Sequence, residues 1–355
     1  MHKNIFFSIF LLLMGQGFST NAEEIFTKVA EFDAQNPPGN IGVSSTGRLF
    51  MSTHHFYGAK YKIVEVFDSG EVKPYPNAEF SESLNPVLGV VVDSENVLWI
   101  LETADEKTNT GTLIGWDIET NSLFKRIPLK SPVIPKNSFL NDLAVDRAHD
   151  AVYITDTAGQ KNSDLIVVDL KTERARRLLE GSPYTLSENI NIVIDEKVVN
   201  LGSGPARIGV NPIVVDSQNE WLYFGAMNGT AIYRIKTSDL LNYSLDSNAL
   251  SRRVDFYGEK PISDGITVDN AGNVYVTSIT DNSIGFIDSN GKYSTLFKSE
   301  SISWPDGFAV GPKNEIFFTV NELHHSSVLN DGNNATTGKF AIYKFTALAS
   351  TDAGR

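Results

Sequence analysis

The chain has 355 residues, no cysteine and a formal charge of −13, with 41% apolar residues and 10% aromatics. That is ample apolar material for a core, which excludes a disordered chain. An acidic protein without a basic block lacks the phosphate contacts that drive nucleic-acid binding. The missing cysteines remove disulfide frameworks, thiolate zinc sites and cysteine nucleophiles.

In chain order, the first element is an export signal. His2 and Lys3 give a basic start, Ile5 to Met14 forms a short apolar run, and Thr20-Asn21-Ala22 sets small residues at a cleavage site after Ala22. The run is too short to span a bilayer, and nothing later reads as a membrane helix. The expectation is a secreted or periplasmic protein with residues 1–22 as signal peptide and 23–355 as one domain.

Six later segments share a pattern of small residue, apolar strand, polar turn and a second strand rich in aromatic and β-branched residues. They are GVSSTGRLFMS from Gly42, GVVVDSENVLWIL from Gly89, LAVDRAHDAVYIT from Leu143, PIVVDSQNEWLYFG from Pro212, GITVDNAGNVYVT from Gly265 and GFAVGPKNEIFFT from Gly307. They begin roughly 40 to 70 residues apart, a spacing suited to four-stranded propeller blades. Breakers such as Ser45-Thr46-Gly47 and Asp269-Asn270-Ala271-Gly272-Asn273 separate the paired strands. Further strands follow in each unit, among them Tyr61–Phe67, Thr112–Asp117, Asp164–Asp169, Ala231–Ile235, Ser283–Asp288 and Phe340–Phe345. Thr237 to Leu241 is the one short helical turn expected. The last unit lacks an outer strand, while Ile25–Phe32 is a spare apolar strand. The predicted fold is therefore an all-β, six-bladed β-propeller whose ring is closed by the N-terminal strand, which removes an exposed edge.

The runs LWILETA (Leu98–Ala104), NDLAVD…AVYITDT (Asn141–Thr157), LYFGAMNGTAIYRIKTSDLLN (Leu222–Asn242), SDGITVD (Ser263–Asp269) and WPDGFAV (Trp304–Val310) resemble the yellow/major royal jelly protein family. The resemblance implies a six-bladed propeller, in a family that includes pigmentation-related proteins, nutritive glycoproteins and salivary binders of small amines. Insect members usually carry cysteines, so a chain without them resembles a bacterial-type member. More distantly, the blade pattern is similar to the regucalcin/gluconolactonase superfamily of calcium-dependent lactonases.

In a propeller, residues just before the first strand and just after the second strand of each blade converge at one mouth of the channel. The first set is Asn40, Asn85, Asn141-Asp142, Asn211, Asp264 and Asp306. The second is Thr53-His54-His55, Glu102, Asp156, Asn228, Ser278 and Asn321-Glu322. This composition suits a hard cation or a cationic or polyhydroxylated small molecule. The ligand-binding candidates are His54, Glu102, Asn141, Asp142, Asp156, Asp264, Asp306 and Asn321. Asp-Gly pairs such as Asp264-Gly265 and Asp306-Gly307 also serve as plain turn residues. Glu102 ends a very apolar strand, so its carboxylate needs a cation, a donor or water. His54-His55 and His324-His325 follow the second strands of neighbouring blades, but adjacent strand residues face opposite sides, so one of each pair is expected at the channel. Gly202-Ser203-Gly204-Pro205 reads as a flexible loop between blades.

Three functional readings follow. The first is a binder of a small ligand, with an amine paired by Glu102, Asp142, Asp264 or Asp306. The second is a lactonase in which Ca2+ polarises a carbonyl while a carboxylate, with Asp264 and Asp306 as candidates, acts as base. For that reading, resemblance to the lactonases implies metal ligands at Asn141, Asn211, Asp264 and Asp306, although Gly39-Asn40-Ile41-Gly42 lacks the glutamate expected in blade one. The third is an interaction scaffold presenting the loops Thr103–Gly111 and Ser326–Gly338.

Overall fold

Each repeated segment folds into the first two strands of a four-stranded antiparallel sheet, and the described residues contain six such sheets. The computed structural model describes residues 25–105, 107–157 and 159–354; the export signal read over residues 1–22 lies outside them. The inner strands are Pro38–Val43, Val87–Val92, Leu140–Asp146, Val210–Val215, Ile266–Val268 and Pro305–Val310. Each inner strand packs beside those of the two flanking blades, and the first lies beside the sixth, so the sheets form a closed ring.

Burial follows position in the blade. Inner strands touch neighbours on both faces and are buried nearly throughout, whereas the outer strand Ser122–Leu129 is exposed over most of its length and buries only Ile127 and Leu129. Six apolar clusters fill the six clefts between blades, including Phe50 with Val90 between the first two and Tyr153 with Phe224 between the third and fourth. On the side away from the mouth, turn aspartates hold the first hairpin of several blades. Asp93 accepts from Trp99 Nε1 at 2.7 Å, Asp146 from the Tyr153 hydroxyl at 3.0 Å and Asp269 from the Tyr275 hydroxyl at 2.9 Å. Much of the chain's repeated Val-Asp signal is therefore spent on turns.

Phe26–Phe32 pairs antiparallel with Phe340–Thr346 as the outer strand of blade six, so the two ends of the propeller are joined in one sheet. Helical turns are more numerous than expected. Besides Thr237–Leu240 there are Ala78–Ser83 and Ser247–Ser251, capped by the side chains of Asn77 and Asp246, and Gly159–Asn162. The Gly202 to Pro205 stretch is not an unstructured loop: Asn200–Leu201 pairs with Gly204–Pro205, just after a first small hairpin of Val193–Ile194 and Lys197–Val198. These two hairpins are inserted between blades three and four, where the repeat spacing is widest. No helix among the described residues is long and apolar enough to cross a membrane.

Candidate functional site

The site is made by a defect repeated in the inner strands. In five blades the pairing of first and second strands shifts register near the start, so that two inner residues oppose one partner. Such a bulge bends the strand and re-aims its side chains. The bulged residues are Gly39-Asn40, Leu88-Gly89, Asn141-Asp142, Asn211-Pro212 and Asp306-Gly307, and Asp264-Gly265 holds the same place in blade five. Seven of the side-chain-bearing positions, Asn40, Leu88, Asn141, Asp142, Asn211, Asp264 and Asp306, line one cavity of about 350 Å³ at the channel mouth.

Second-strand hydroxyls hold the bulges open. Ser52, Thr155, Thr277 and Thr319 accept the amide protons of Asn40, Asp142, Gly265 and Gly307 at 2.9–3.1 Å. Three of the same hydroxyls donate onward to the bulge of the next blade: Ser52 to Leu88 O at 2.6 Å, Thr155 to Asn211 O at 3.2 Å and Thr319 to Gly39 O at 2.7 Å. The hydroxyls thus stitch blade to blade directly behind the cavity wall. Their signal was present in the repeat, where the second strand ends in FMS, YIT, YVT or FFT, but its role depends on a bulge that the pattern does not show.

Three carboxylates meet in the cavity. Asp142 accepts from Asn40 Nδ2 at 2.9 Å, Asp264 from Asn211 Nδ2 at 2.5 Å and Trp304 Nε1 at 2.7 Å, and Asp306 from Asn321 Nδ2 at 2.6 Å. Burial pushes Asp142 up to about 7, and the charge of Asp264 adds to the rise. Burial also lifts Asp264 to about 6, against the pull of the Trp304 and Asn211 hydrogen bonds and the Lys260 ammonium. Asp306 is raised well above the ordinary carboxyl range by burial and by the charges of Asp264 and Asp142. Lys260 lies behind this wall, its ammonium donating to Gly229 O at 2.8 Å and Pro261 O at 3.2 Å, and burial lowers it to about 7. Arg207, the one basic side chain on the described lining besides His54, donates to Ala206 O and to the side chains of Asn189 and Asn191. Phe56, Phe139, Trp304, Met227 and Leu329 supply apolar wall.

The residues after the second strands mostly do other work. Glu102 is buried but outside the cavity wall, and its carboxylate accepts the Asn85 N–H at 2.8 Å. Asp156 likewise accepts the Phe139 N–H at 2.8 Å and pairs with Arg177 at 2.8 Å, also outside the wall. Asn228 accepts from Ile208 N and donates to Ile190 O and Ala206 O, anchoring the inserted segment. A side chain at a strand end braces the loop that leads into its own blade, so these three are supports. Asn85 and His55 face a separate depression beside blade two. His54 does line the cavity; its Nδ1 accepts the Phe56 N–H at 3.3 Å, and burial drives its pKa well below the usual imidazole value. Asn321 touches the site through Asp306. The sequence did not reveal the roof: Leu201 and Arg207 from the insertion and Leu323, Val328 and Leu329 after blade six.

The fold and site define a six-bladed propeller with an acidic, apolar-walled pocket at one end of its channel. Residues 86–310 match the major royal jelly protein family, and the chain belongs to it. No curated protein sequence matches it. Among solved structures it is similar to a luciferin-regenerating enzyme, at 13% identity over 93% of this chain and 98% of that one, with a TM-score of 0.61. It is also similar to a calcium-binding regucalcin from Agrobacterium tumefaciens, at 12% identity, 92% and 96% coverage and a TM-score of 0.58. A gluconolactonase from Xanthomonas campestris gives 12% identity, 90% and 88% coverage and a TM-score of 0.57. At these identities the likeness is one of fold.

Proposed function

We propose that the protein is exported and binds a small cationic ligand, a protonated amine on an apolar or aromatic body, in the mouth of its channel. The observation that carries this reading is the convergence of Asp142, Asp264 and Asp306, the second buried and the other two partly so, in one cavity of about 350 Å³ that also has an apolar and aromatic wall. Three carboxyls crowded together at this wall repel one another and resist ionisation, and Arg207, the guanidinium on the lining, is engaged by Ala206 O and the side chains of Asn189 and Asn191. A cation entering among them relieves both costs, while the aromatic wall covers the rest of the ligand. Titration calorimetry against a panel of biogenic amines, with chelator present, tests this. Binding by the wild type and loss in Asp264→Asn and Asp306→Asn supports it; flat traces across the panel reject it.

A second reading rests on Asn141, Asn211, Asp264 and Asp306 sharing that cavity. Two carboxamides and two carboxylates are the hard oxygen donors that calcium prefers, so the residues fit such an ion in chemistry. When bound, calcium would polarise a lactone carbonyl. Against this reading, blade one contributes Asn40, whose amide donates to Asp142, and no carboxylate. Calcium titration and lactone hydrolysis with and without chelator separate it from the first.

A further inference from the structure

The first inserted hairpin carries Asp195 at its tip, between Ile194 and Lys197, in a left-handed backbone conformation (φ 50°). Across from it runs the loop after blade six, where Leu323–His325 forms a single 3-10 turn. Successive residues of such a turn are about 120° apart rather than the 180° of a strand. The smaller step lets the His324 and His325 rings lie side by side, with centroids 3.9 Å apart, in contrast to the alternation expected from a strand. Potential ligand atoms of Asp195, His324 and His325 all lie within 4.8 Å of one another, and no other such trio occurs among the described residues. His54 and His55 belong to no such group.

Two further observations bear on what the trio does. The Nδ1 atoms of both His324 and His325 are buried and lack a hydrogen-bond partner, a cost that an ion bound through those nitrogens would remove. The hairpin is also docked where the site requires it: Ile192, Ile194 and Val199 pack with Leu323 and Leu329 in one buried cluster, and Asn200 Nδ2 donates to Asp331 at 3.2 Å. The trio is thus held in place from both sides by packing independent of any metal.

We propose that Asp195, His324 and His325 bind one divalent transition-metal ion of the zinc class, tying the inserted hairpin to the blade-six loop. Two imidazoles, borderline nitrogen donors that calcium and magnesium rarely take, joined by one carboxylate, suit zinc and its neighbours. Three protein ligands leave a coordination position for water. The site is distinct from the carboxylate cavity. The two are separated by Trp304, which stacks on His324 with centroids 5.8 Å apart and sends its indole N–H to Asp264. Because the ligands come from segments far apart in sequence, the ion stabilises the docked hairpin by mass action.

The test uses the full chain without a histidine tag, stripped with chelator and titrated with zinc chloride by calorimetry. The expected result is one zinc per chain, a rise in melting temperature, and cobalt(II) absorption characteristic of a low-coordinate nitrogen and oxygen site. Asp195→Asn, at an exposed turn, and His325→Ala should each weaken zinc binding by about tenfold or more with unchanged circular dichroism. His324→Ala is less informative because that ring is buried against Trp304. Absence of stoichiometric zinc, or binding that either variant leaves within tenfold of wild type, would overturn the proposal.

Discussion

Trp304 donates its indole N–H to Asp264 Oδ2 at 2.7 Å from a backbone at φ 53°, in the left-handed region that bulky residues rarely adopt. The ring is fully buried, within the apolar cluster that roofs the cavity. Strain of this kind persists where the surroundings over-determine it, as at ligand clamps. Here the strained residue aims the one neutral ring donor that opposes the effect of burial on Asp264.

Trp304→Phe retains a ring and removes the donor. Asp264 should then ionise at a pH above its present value of about 6. If the carboxylates hold an amine, binding by the variant will be weakened several-fold at pH 6 and nearly restored at pH 8. Calorimetry at pH 6, 7 and 8 measures this; parallel pH profiles for variant and wild type would reject the role of the indole.

The same groups govern stability. Asp142 and Asp264 have folded values of about 7 and about 6 against an ordinary 3.8. Between pH 4 and 7 the native state thus binds more protons than the unfolded chain, and stability falls as pH rises. Their contribution is complete below pH 4 and lost as pH passes through 6 and 7. From this source the unliganded protein should melt at a lower temperature at pH 8 than at pH 5. Asp142→Asn, which preserves an acceptor for Asn40, should flatten that slope and raise the melting temperature at pH 8 by a few degrees. Scanning calorimetry decides it, and equal slopes in variant and wild type would refute the account.

The stitching hydroxyls make a separate prediction. Thr319→Val conserves shape but leaves the Gly307 N–H and the Gly39 carbonyl without their side-chain partner. Each buried group left unsatisfied costs about 1–3 kcal/mol, so the midpoint of urea unfolding should fall measurably with little change in slope. Thr155→Val lies in blade three and shares no partner with it, so the two losses should add. A Thr319→Val protein as stable as wild type would show that the bulge needs no hydroxyl.

Which parts were legible in the sequence follows from the length scale of each signal. The blades were legible because two strands and a turn repeat as a unit, and the bulge positions Asp142, Asp264 and Asp306 were found because they open those units. Glu102 and Asp156 lie outside the cavity wall, because a carboxylate at a strand end can serve either the channel or a nearby N–H, and only geometry distinguishes the two. The paired histidines followed a strand rule after the strand had ended, at Val320. Asp195 sits in an insertion with no counterpart in the repeat. The wide gap between Leu143 and Pro212 indicated extra chain there, but where that chain docks depends on contacts with residues 323–331, far away in sequence.

Ring closure is the last feature open to direct test. Phe26 to Phe32 pairs with Phe345 to Phe340, Phe26 stacks on Phe297 with centroids 4.7 Å apart, and Ala30 and Phe32 lie in the core between blades six and one. Removing residues 25–32 strips Phe340–Thr346 of its outer partner and leaves an edge able to pair with another chain. The expected result is a marked drop in melting temperature, or soluble oligomers by light scattering. Phe32→Ala offers a graded version: loss of a buried phenylalanine costs about 3–5 kcal/mol while the strand pairing remains. A truncated protein that stays monomeric and melts like wild type would show that the ring holds without its N-terminal strand.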